Sequence, residues 1–133
     1  MNQLQKSLRL NALFSSISGI LLIIFNVQIA AIFSTNNKSV FWIIGLILVF
    51  FAGTIAYEIF KQRPIAVRWI ILQDFMWVIG SIILIMINPF EISKLGNIII
   101  VIIAVIVLYM GVNQAKALAQ FVNKKVSKPS EKN

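Results

Sequence analysis

The stretch "NIIIVIIAVIVLYMGV" (residues 97–112) decides the fold class. Its β-branched residues would leave helix and strand open in water. Its length and unbroken apolarity decide for a helix that crosses a bilayer, where ~20 residues span a ~30 Å hydrocarbon core. Three more such segments precede it, giving four at about 10–33, 40–60, 65–87 and 96–118. In lipid a spanning segment satisfies its backbone within a helix or a closed barrel, and this chain is too short for a barrel. The expected fold is all-α: four antiparallel transmembrane helices, up-down-up-down, in a domain over residues 1–120, followed by a basic, disordered tail over 121–133.

Composition agrees. The 133 residues are 59% hydrophobic and 12% charged, about half the usual charged share of a soluble domain. Cysteine and histidine are both absent. That excludes disulfide-stapled and thiol-cycling membrane proteins, zinc sites of ordinary type, His-ligated haem and Ser-His-Asp chemistry. Asp and Glu total four, so an oxygen-only metal cage would need nearly every acid. No cofactor, no metal and no enzymatic activity are expected.

The connections carry suitable punctuation. "STNNKS" (34–39) offers Ser39 as an N-cap, "KQRP" (61–64) is a tight hairpin with Pro64 in the first turn of the next helix, and "NPFEISKLG" (88–96) joins the last two spans. The net charge of +8 gathers at span ends, which is the signature of membrane topology and not of a nucleic-acid groove. With both termini on one side, that side holds Lys6, Arg9, Lys61, Arg63, Arg68, Lys116, Lys124, Lys125, Lys128 and Lys132, against Lys38 and Lys94 on the other. Ten against two puts both termini in the cytoplasm of a bacterial inner membrane and argues against dual topology. Lys6 and Arg9 ahead of an apolar run resemble a signal peptide, but that run continues to Phe33 with no convincing cleavage site, so it is read as a retained span. The expected partners are the bilayer, with anionic headgroups drawn to the C-terminal lysines, and a second copy in a homo-oligomer.

Counting depth at 1.5 Å per residue sets the polar residues almost wholly in the cytoplasmic half. These are Asn11, Ser15, Ser16 and Ser18 on the first span, Thr54, Tyr57 and Glu58 on the second, Arg68, Gln73 and Asp74 on the third, and Asn113 and Gln114 on the last. An ionised carboxylate as deep as Asp74 costs about 2.5–3.5 kcal/mol without a partner, so Asp74 is expected to face the bundle interior. Trp77 and Ser81 share its face, and Asn11, Ser15, Ser18 and Leu22 form a matching stripe. Ser15 or Ser18 is the expected donor to Asp74. Arg68, about 120° around the helix from Asp74, is expected to snorkel or to reach Glu58 across the hairpin, and Glu58 is expected as a solvated group beside Lys61 and Gln62. Trp42, Trp69 and Tyr57 read as interfacial anchors, and Trp77 as core packing or a cavity wall. Ser15-x-x-x-Gly19, Ala52-x-x-x-Ala56 and Gly111-x-x-x-Ala115-x-x-x-Ala119 permit close helix approach, within the chain or between copies.

At "LRLNALFSSISGILLIIF", "KQRP" and "LQDFMWVIGSIILI" the chain resembles small bacterial four-span membrane proteins without an assigned function, which implies the fold and no activity. The small multidrug exporters are similar in length and span number. They are built around a glutamate in the first span, where this chain has no acid.

Three functions follow as expectations. The first is a small-molecule or lipid-binding module whose pocket opens to the cytoplasm and is lined by Asn11, Ser15, Ser18, Asp74, Trp77 and Asn113. The second is an oligomeric channel or transporter using Asp74 as a proton or cation site. The third is a structural or accessory protein whose polar residues serve folding. For Asp74 the structural alternative is a hydrogen-bonded carboxyl that locks the first and third spans together.

Overall fold

The computed structural model describes residues 1–89 and 91–127 and is all-helical. Its helices are α1 (Gln3–Ile24), α2 (Asn26–Ile32), α3 (Lys38–Lys61), α4 (Pro64–Ile87) and α5 (Lys94–Ser127). Four of them, α1, α3, α4 and α5, are long and apolar enough to cross a membrane. Little of each is covered by the rest of the chain: Phe60 is 81% exposed, Met86 80% and Phe50 76%. Apolar surface on this scale calls for an apolar solvent or a partner.

The helix ends explain the departures from the expected spans. Asn2 accepts from the Gln5 backbone N–H while the Gln5 side chain accepts from that of Asn2, a reciprocal cap that starts α1 at Gln3 instead of near residue 10. The first span is also not one helix. Asn26 Nδ2 donates to the Ile23 carbonyl at 2.7 Å, and Phe25 leaves helical geometry at φ −105°, ψ 29°, so the segment divides into α1 and α2. Ser39 does not cap α3. The helix begins at Lys38 with Asn37 in the cap position, which puts Ser39 inside the first turn. Pro64 opens α4 as expected. The final helix runs through Ser127, so the first seven residues of the expected tail are helical; Lys128 to Asn133 lie outside the described residues.

Two clusters pack the bundle. At the end holding the Gln62–Arg63 turn, Leu4, Leu8, Phe51, Ile55, Val67, Ile70, Ile71, Ala117 and Leu118 form a close core. At the other end, which holds the 33–37 and 88–93 connections, Phe33, Phe41, Ala30 and Ile92 pack together, and Phe33 meets Phe41 edge-to-face at 5.2 Å. Ser93 ties the connections there, its N–H donating to the Phe33 carbonyl at 2.9 Å and its hydroxyl to that of Ile32 at 3.0 Å.

The closest helix approach is α1 on α3. A methyl added to Gly19 would lie 2.7 Å from the Gly45 carbonyl oxygen, and one added to Gly45 would lie 2.6 Å from that of Gly19. The Ser15-x-x-x-Gly19 pattern therefore serves contact within the chain, its partner being Gly45. Gly111 is looser, with nothing nearer than 3.5 Å to an added methyl, and Ala119 is exposed. In contrast to α1 and α3, the neighbours α3 and α4 touch little beyond their shared turn.

Candidate functional site

Asp74 is 2% exposed, Asn11 0% and Gln114 0%. They come from α4, α1 and α5, and each is placed by helical spacing: Asn11 with Ser15 on α1, Gln114 with Met110 on α5, Asp74 with Trp77 and Ser81 on α4. Asp74 Oδ2 accepts from Asn11 Nδ2 at 2.7 Å and from Gln114 Nε2 at 2.6 Å. Asn11 Nδ2 also donates to Gln114 Oε1 at 3.0 Å, Gln114 Nε2 to the Met110 carbonyl at 3.0 Å, and the Ser15 hydroxyl to Asn11 Oδ1 at 3.0 Å. Among the described residues no cation pairs with Asp74, and its Oδ1 accepts no hydrogen bond. The donor to Asp74 is thus neither Ser15, which sits one step behind Asn11, nor Ser18.

From this cluster a cavity of about 380 Å³ extends toward the 33–37 and 88–93 end. Asp74, Asn11, Ser15 and Ser18 line its inner end. The walls are the stripe Phe41, Ile44, Leu48 and Phe51 on α3, Trp77, Ser81 and Leu84 on α4, and aliphatic residues of α5 such as Ile103 and Val107. Apart from the inner cluster, Ser81 and the rim residues Thr35 and Asn37, the lining is apolar. The size falls within the ~300–1,000 Å³ of small-molecule pockets.

Five of the six expected lining residues, Asn11, Ser15, Ser18, Asp74 and Trp77, do line the cavity, but it extends away from the end that holds the Gln62–Arg63 turn, where the expected pocket opened. The turn end, where Leu4 and Leu118 meet, is the close-packed one. Several serine and threonine hydroxyls outside the cavity bond to backbone carbonyls of their own helices. Ser7 donates to the Leu4 carbonyl, Ser16 to that of Leu13 and Thr54 to that of Phe51. Space remains instead where α3 and α4 separate.

The other candidate residues divide clearly. Trp77 and Ser81 border the cavity, the Ser81 hydroxyl bonding the Trp77 carbonyl at 2.7 Å. Asn113 is half-buried and takes no part in the network; its neighbour Gln114 does. Gln73, Arg68 and Tyr57 are exposed. Glu58 is not a solvated group. Its side chain is 3% exposed and pairs with Arg63 at 2.5 Å, not with Arg68. Arg63 Nε and backbone N–H also donate to it, at 3.1 and 3.2 Å. The two-residue turn after Lys61 folds Arg63 back onto the last turn of α3, so Glu58 is met by Arg63 and not by Arg68. The Arg63 guanidinium also lies 5.2 Å from the Tyr57 ring centre. The α3 wall was missed in the sequence because nothing distinguishes its apolar residues from those facing lipid. No group of three or more Asp or Glu suited to a metal occurs among the described residues.

Compared with protein-family models, curated proteins and solved structures, the chain finds no match.

Proposed function

We propose that this is a polytopic membrane protein that binds a lipophilic small molecule or lipid in the cavity above Asp74. One observation carries the proposal: a cavity of about 380 Å³ with apolar walls and a single buried polar cluster at its closed end. Such a site orients a ligand by one polar group and holds the rest by apolar contact. Asn2 bonds Gln62, Gln5 bonds the Ile59 carbonyl, and Gly19 meets Gly45. These pairings support an antiparallel, up-down-up-down bundle. The ten-to-two division of basic residues supports a cytoplasmic position for both termini and the Gln62–Arg63 turn. In that orientation the cavity occupies the outer half of the bilayer, and the sparse contact of α3 with α4 gives the ligand a lateral way in from lipid.

The binding reading stands ahead of transport because the core around Leu8, Ile55 and Val67 closes the cytoplasmic end within one chain. The test is native mass spectrometry of protein released from mild detergent, wild type beside Ile44→Trp, which fills the cavity from α3. A discrete adduct on the wild type that the variant loses supports the proposal. Bare protein in both forms, with unchanged stability, favours a structural role.

A further inference from the structure

The polar floor of the cavity has no amide donor to spare. Both hydrogens of Asn11 Nδ2 are committed, to Asp74 and Gln114, and both of Gln114 Nε2, to Asp74 and Met110. The Ser15 and Ser81 hydroxyls donate to Asn11 and to the Trp77 carbonyl. What remains for a ligand is Asp74 Oδ1 and the Ser18 hydroxyl, which line the same cavity and make no hydrogen bond among the described residues. Asp74 Oδ2 meets the amides of Asn11 and Gln114, and the Asp74 Cβ lies beside Gly111, with Phe51 of α3 on the same cavity. None of these titrates, and the ion pair of the described residues, Glu58 with Arg63, belongs to the turn. The carboxyl is therefore a buried acid without a counter-cation, facing an apolar space.

Only two things can neutralise such a group: a proton, or a cation brought by the ligand. We infer that the cavity takes a cationic amphiphile, with a protonated amine on Asp74 Oδ1 and Ser18 and an apolar body along the α3 and α4 walls. This rests on the cavity being a binding site, as proposed above. An ammonium supplies the N–H donors that an acceptor-rich floor lacks, and Trp77, one turn from Asp74, lines the same cavity as an aromatic neighbour. Anionic ligands are disfavoured, since every amide donor is engaged. A proton and an ammonium compete for one oxygen: where Oδ1 is protonated, that proton must leave to water before the ammonium takes its place.

The test uses the full chain in phosphatidylcholine nanodiscs, with binding read beyond that of empty discs. The probes are decylamine, decan-1-ol and decanoate. An alkylammonium titrates near the lysine value of about 10.4, so it stays charged from about pH 5 to about pH 8. Decylamine should bind saturably at the upper pH and about tenfold or more weakly at the lower, and equally weakly to Asp74→Asn at the upper pH. Decan-1-ol should respond to neither change. The pH comparison is made on the wild type and so does not depend on the folding of the variant. Equal binding of decylamine and decan-1-ol, insensitive to pH, overturns the cationic ligand and leaves the cavity reading standing, as does a preference for decanoate. Saturable binding of none of the three overturns the cavity reading itself.

Discussion

Asp74 Oδ2 is gripped by amides from two other helices, so the chemistry of position 74 can be separated from its structural role. Asparagine offers the same acceptor oxygen, and Asp74→Asn should cost less than about 1 kcal/mol, in keeping with the ~0.6 kcal/mol average of interhelical hydrogen bonds in membranes. Asp74→Leu removes the acceptor of two buried N–H groups and should cost about 1–3 kcal/mol. The comparison is made by unfolding in mixed micelles with rising SDS. Equal losses for the two variants would show that the amides do not depend on this oxygen. At the hairpin, Arg63→Ala should lower stability more than the double change Arg63→Ala with Glu58→Gln, because a lone carboxylate at 3% exposure is worse than none. The same unfolding assay, run as a double-mutant cycle, reads the coupling.

Among the helices, the α1–α3 crossing is the tightest contact, and it gives the sharpest contrast between two glycines on one helix. A methyl at Gly45 meets the Gly19 carbonyl oxygen at 2.6 Å, whereas one at Gly53 meets nothing within 4 Å. Gly45→Ala should therefore destabilise by about 1–3 kcal/mol as the backbones are pushed apart. Gly53→Ala should stabilise by about 0.5–1 kcal/mol, as alanine does over glycine within a helix. SDS-driven unfolding followed by circular dichroism distinguishes the two signs. The sequence made the Ser15-x-x-x-Gly19 pattern visible but not its partner. Gly45 belongs to no small-xxx-small repeat and is identified only by the facing backbone. The break at Phe25 escaped for a similar reason: Asn26 reads as one polar residue in an apolar run until its amide is seen on the Ile23 carbonyl.

For the molecule as a whole, topology is the first property to test. The chain has no cysteine, so single cysteines report their own side of the membrane without a background. In intact cells a membrane-impermeant maleimide should label Asn36→Cys, while Gln62→Cys should label only after lysis. The reverse pattern would invert the molecule and turn the cavity toward the cytoplasm. The division of basic residues bears on the orientation, while packing leaves one end hollow, and the two depend on different residues.

The sequence by itself determined the helical class, the four long apolar helices, the Pro64 start of α4 and the burial of Asp74, because each follows from the cost of exposing backbone or charge to hydrocarbon. These are properties a residue carries wherever its neighbours sit. It did not determine that Asn11 and Gln114, in place of the serines, would hold Asp74, that Arg63 would take Glu58, or which side of Asp74 would be hollow. Those depend on which faces meet. Hydropathy is blind here, since Phe41, Ile44 and Leu48 have the same apolarity whether they face lipid, a neighbouring helix or an empty space. Only the tertiary structure, by closing the turn end around Leu8 and Ile55 and leaving α3 and α4 apart beyond it, decided where the cavity lies.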